Sequence, residues 1–123
     1  MKAGDFLKQA RGHMLERATT YDKPGGERSM QNAVKAFETI TGVSMTTEQG
    51  WLFMALLKAV RSQQGQFKAD NYEDGAAYFA LAGEQAFVDR CGLKPGEFVD
   101  PYDKLEELTG KKFDKPITGQ TRY

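Results

Sequence analysis

The chain has 123 residues, 40% of them hydrophobic and 28% charged, and its 17 Lys+Arg balance 17 Asp+Glu. That is one globular domain's worth, long enough to bury about two-thirds of the surface its unfolded form exposes, and too apolar for a disordered chain. The neutral balance argues against a dedicated nucleic-acid binder, while one cysteine and one histidine exclude an internal disulfide, a Cys/His metal cluster and a Ser-His-Asp or Cys-His catalytic arrangement.

Residues 5–19 carry Leu7, Ala10, Met14 and Ala18 at three- and four-residue steps, which predicts a first amphipathic helix. His13 lies on it among Gln9, Ala10, Glu16 and Arg17, no metal set, and reads as a surface or boundary side chain. The stretch 18–29, ATTYDKPGGERS, follows as an interhelical turn shaped by Pro24-Gly25-Gly26. It has neither the G-x-x-x-x-G-K-[ST] pattern nor a strand before it, so a phosphate-binding loop of that type fails. A second helix is expected over 29–41, with Met30, Val34, Phe37 and Ile40 on one face, Ser29 as its N-cap and Gly42 as its stop.

Thr46 and Gln49 have the spacing of a capping box and announce a third helix over about 47–64. Trp51 to Leu57 is apolar all round, which predicts a central helix covered on several sides. That run is also the longest in the chain and much too short to cross a bilayer. No apolar leader segment begins the sequence, and a cytoplasmic protein is expected.

A fourth helix over about 71–90 is dense in small residues. Gly75 and Gly83 within it predict close helix contacts, with Tyr78, Phe79, Leu81 and Phe87 filling the neighbouring space. Asp100-Pro101 opens a short fifth helix over 101–109, ended by Gly110. The fold expected is all-α: a compact bundle of four main helices plus a short C-terminal helix, residues 1–110 forming a single domain and 111–123 an extended or flexible tail.

Two constellations could carry chemistry. Lys58 and Arg61 share a face of the third helix, and Asn71, Asp74 and Tyr78 share a face of the fourth. A short connection makes these helices antiparallel neighbours, so the two polar faces meet near the turn. Arg for bidentate contact and Lys as a point charge suit a phosphate-bearing ligand. Asp74, with Asp70 or Glu73, could hold a hydrated Mg²⁺ against it. The competing structural reading has Asp70 with Glu73, or Asn71 with Asp74, as an N-terminal cap, and Arg61 with Asp74 as an interhelical ion pair. The second constellation is Tyr21, Asp22, Lys23 and Arg28 of the first turn, which composition alone explains better as a plain interhelical turn.

The order Tyr21, then Leu57-Lys58 with Arg61, then Asp70-Asn71-x-x-Asp74-x-x-x-Tyr78 resembles a family of small phage and prophage proteins of unassigned function, over roughly residues 14 to 85. More loosely it is similar to a phage nucleotide-modification-associated domain and to all-α nucleoside triphosphate pyrophosphatases of the MazG type. The resemblance implies a nucleotide or phosphate site formed by Tyr21, Asp22, Lys58, Arg61, Asn71 and Tyr78, with Asp70 and Asp74 toward a metal ion, in a bacterial host's cytoplasm. The first Glu-rich motif of the pyrophosphatases is missing: Lys58 and Arg61 stand in its place. Binding therefore survives the comparison better than Mg²⁺-dependent hydrolysis does. A non-enzymatic protein that binds a host factor is the alternative, and a homodimer joined through its polar faces is compatible with either.

Overall fold

The computed structural model describes residues 1–21, 29–92 and 101–112, the side chains of 18–21 and 101 excepted. The described chain forms five helices and no strand: α1 (Ala3–Tyr21), α2 (Ser29–Thr41), α3 (Thr47–Ser62), α4 (Ala69–Cys91) and α5 (Pro101–Thr109). The all-α class and the short C-terminal helix are as expected. None of the described helices is long and apolar enough to cross a membrane.

Local chemistry sets the helix ends. The Thr46 side chain accepts from the Gln49 amide at 3.1 Å, and the Gln49 side chain accepts from the Thr46 amide at 3.0 Å, completing the anticipated capping box. Gly42 stops α2 in a left-handed conformation (φ 74°), its amide donating to the Glu38 carbonyl at 2.8 Å. Ser29 is itself the first residue of α2 rather than the residue before it. At α4 the capping reading also fails. Its N-cap is Lys68, which makes no side-chain cap hydrogen bond, and Asp70 and Asn71 lie inside the first turn.

The hub of the fold is α4, flanked by α3 on one side and α1 on the other, with α2 leaning on α3. Small residues explain this arrangement. A Cβ on Gly75 would stand 3.5 Å from the Cβ of Lys58, so α3 and α4 pass closely there. Gly83 does not do the same, because nothing lies within 4 Å of its notional Cβ. Gly50 admits α2 instead: Met30 and Val34 press against the bare α-carbon side, with the Val34 Cγ1 3.0 Å from where a Cβ would be.

Among the described residues the buried apolar core is Ala10, Val34, Trp51, Ala77 and Ala82. Trp51 stacks on Tyr78 at 5.9 Å between ring centroids, and the Arg17 guanidinium lies 5.0 Å over the Tyr78 ring. The expectation that α3 is covered on several sides is corrected. Gly50 and Trp51 are buried, but Leu52, Phe53, Leu56 and Val60 are exposed, because α2 and α4 occupy only part of the helix circumference. Phe79, expected to fill space beside α4, is likewise exposed.

Candidate functional site

The last turns of α3 and the first turn of α4 meet around the connection 63–68. Gly65 in this connection takes φ 67°, a left-handed conformation that reverses the chain at little cost. The reversal leaves an open groove of about 470 Å³ lined by Lys58, Arg61, Gln64, Gln66, Lys68, Asp70 and Asn71. A second hollow of about 300 Å³ adjoins it, sharing Lys58 and Asn71, with Ala55, Ala59, Tyr72, Gly75 and Ala76 on its walls. One compartment is polar and cationic, the other largely apolar.

The charges inside are unequally committed. Lys58 Nζ lies 3.2 Å from Asp74 Oδ2, and both side chains are largely covered, at 14% and 21% exposure. This is the interhelical ion pair that the sequence suggested for Arg61. Three residues along α3, Arg61 lies nearer the turn and faces the groove with no ion-pair partner among the described residues, as does Lys68. Asp70 is the single carboxylate lining the groove. Two uncommitted cations therefore face one acid.

Asn71 is the most constrained member of the set. It is only 8% exposed, yet its carboxamide makes no hydrogen bond to a described residue while lining both hollows. Its amide atoms keep access to the open groove, where they could donate to and accept from a bound polar group. The uncapped N-terminus of α4 adds amides and the positive end of the helix dipole to the same region. Lys68 is the lining cation that sequence reasoning missed. Its signal lay in its position, one residue before the acidic start of α4.

The structure thus brings together Lys58, Arg61, Asp70 and Asn71, with Asp74 held behind them on Lys58. Tyr78 lies apart. Two helical turns along α4 from Asn71, its ring is occupied by Trp51 and Arg17. Tyr21 ends α1, with its side chain outside the described set, and Asp22, Lys23 and Arg28 also lie outside the described residues. Glu73 does not turn toward the groove. It is buried on the α1 side of α4, where its Oε2 lies 3.0 Å from His13 Nε2. Among the described residues no group of three or more His, Cys, Asp or Glu side chains is arranged to hold a metal ion.

A helical hairpin carrying a cationic groove at its closed end is the class of structure these elements define. Residues 5–86, which include the groove, all of α3 and most of α4, match the family described as Domain of unknown function (DUF6378), and the chain belongs to that family. No curated protein and no solved structure matches the chain.

Proposed function

We propose that the chain binds a nucleotide or another phosphate-bearing small molecule in the groove at the α3–α4 turn. The carrying observation is the convergence on one groove of Arg61 and Lys68, neither with an ion-pair partner among the described residues, and the carboxamide of Asn71. Arg61 supplies a bidentate donor fork, Lys68 a mobile point charge, and the start of α4 backbone amides. The adjoining apolar hollow beside Tyr72 and Ala76 would receive the uncharged part of such a ligand. Mg²⁺ would arrive with the phosphate and touch the protein through Asp70 and water, since Asp74 is engaged by Lys58. This set supports binding rather than hydrolysis, because a single uncommitted carboxylate in the groove is too few to hold the metals of pyrophosphate cleavage. The resemblance of the Lys58-x-x-Arg61 and Asp70-Asn71-x-x-Asp74 pattern to phage nucleotide-handling domains agrees with a phage accessory role.

The test is a thermal-shift screen of nucleoside mono-, di- and triphosphates and inorganic phosphate, with and without Mg²⁺. The wild type is expected to rise in Tm with at least one nucleotide, and Arg61→Ala with Lys68→Ala to abolish that rise. A wild type that no phosphate compound stabilises would sink the reading.

A further inference from the structure

The hollow that adjoins the groove has a chemistry of its own. Ala55 and Ala59 of α3 and Gly75 and Ala76 of α4 line it, so much of its wall carries nothing larger than a methyl group. Beside them stands Tyr72, whose ring is held by two others. Phe67 stacks on it at 5.8 Å between centroids, and Phe6 of α1 meets it edge-on at 5.9 Å. These contacts fix the orientation of a ring that is still 42% exposed.

The polar groups on the wall are unequally engaged. Lys58 is held by Asp74 at 3.2 Å. The Ser62 hydroxyl donates to the Ala59 carbonyl at 2.5 Å and accepts from Gln63 Nε2 at 3.3 Å. Asn71 remains, 8% exposed, its carboxamide without a hydrogen bond to a described residue, on the wall that the hollow shares with the cationic groove. A carboxamide offers a donor and an acceptor side by side, the pattern that the hydrogen-bonding edge of a nucleobase carries. An alkyl chain would leave that amide unused, whereas a flat heteroaromatic ring meets it with an edge and meets Tyr72 with its π-system. The spacing fits as well. Arg61 lies four residues along α3 from the midpoint of Ala55 and Ala59, and Lys68 lies four residues before Tyr72. Each cation is thus about 6 Å along the helix direction from the hollow, a span that one pentose bridges.

We propose that the hollow is a base pocket. The ligand is a nucleoside phosphate whose base packs against Tyr72 over Gly75 and Ala76 and pairs through its edge with Asn71, while its phosphate lies on Arg61 and Lys68. This rests on the reading of the groove as a phosphate site, and it narrows the ligand from phosphate compounds in general to those that carry a nucleobase. Affinity then comes from both compartments, and the preference for a base from the hollow alone.

Isothermal titration of the full chain with inorganic phosphate, ribose 5-phosphate and the nucleoside 5′-monophosphates tests it. The wild type is expected to bind at least one nucleotide about 10-fold or more tightly than ribose 5-phosphate, the contribution of one stacked base. Tyr72→Leu keeps the apolar bulk without the ring and should reduce that ratio to about 2 or less, whereas Tyr72→Phe should preserve it. Ala59→Leu, at an exposed position of α3 that the fold does not fill, occupies the hollow and should reduce the ratio likewise. Ribose 5-phosphate binding as tightly as every nucleotide overturns the inference and leaves the phosphate site standing. So does a base preference that Tyr72→Leu or Ala59→Leu leaves intact. A chain that binds none of these compounds removes the phosphate site and the base pocket together.

Discussion

The two ends of the α3–α4 hairpin are built on opposite plans. At the open end Trp51 is buried and stacked on Tyr78, and Ala82 is buried. At the connected end the same two helices leave a groove lined by the Asn71 amide and by two cations, Arg61 and Lys68, with no ion-pair partner among the described residues. Apolar packing at one end holds the helices together, which lets the other end present polar groups to an open groove. Apolar packing and the polar groove are thus separated along one pair of helices by about two turns.

The sharpest way to break this contrast is at the open end. Trp51→Ala should cost about 3–5 kcal/mol in urea unfolding, since it empties the centre of the small core. A loss below about 1 kcal/mol would mean that the core lies elsewhere. Next comes Lys58→Met at the boundary between the two ends. Leaving the Asp74 carboxylate largely covered and unpaired should cost about 1–3 kcal/mol, and adding Asp74→Asn should recover part of it in a double-mutant cycle. His13→Ala should cost about 1–2 kcal/mol, because the buried Glu73 loses its partner across the α1–α4 contact. At the connected end, Arg61→Ala and Lys68→Ala should each leave unfolding free energy within about 0.5 kcal/mol while removing any phosphate-dependent stabilisation. The smallest effect belongs to the Glu48–Arg90 pair, which spans the same two helices at 3.7 Å but is 36% and 65% exposed. Arg90→Ala should change stability by no more than about 0.5 kcal/mol, in contrast to the covered Lys58–Asp74 pair.

How far this was legible in the sequence depended on the reach of each signal. The capping box at Thr46, the stop at Gly42 and the limits of α2 and α5 are local, set by residues within one turn, and they read correctly. The elements of the groove were legible for the same reason, since Lys58 with Arg61 and Asp70 with Asn71 are helical neighbours. Which cation Asp74 would take was not legible, because it depends on the axial register of two helices, and a shift of one turn exchanges Lys58 for Arg61. The His13–Glu73 contact joins residues 60 apart in the chain and has no local signal. The exposed side of α3 was misread for a related reason. An apolar run does not say which sides of its helix the rest of the chain covers.

The crossing of α2 over α3 at Gly50 has a dynamic consequence. Val34 is the only buried residue of α2, and α3 is its chief support, so few apolar contacts oppose its release. Opening of α2 should therefore be a sub-global event of lower free energy than unfolding of the α3–α4 hairpin. Amide hydrogen exchange should register this as a graded order, with α2 losing protection first and the amides around Trp51 and Ala77 holding it longest. A helix that lifts away without dismantling the hairpin would leave the groove and its cations in place while the fold breathes.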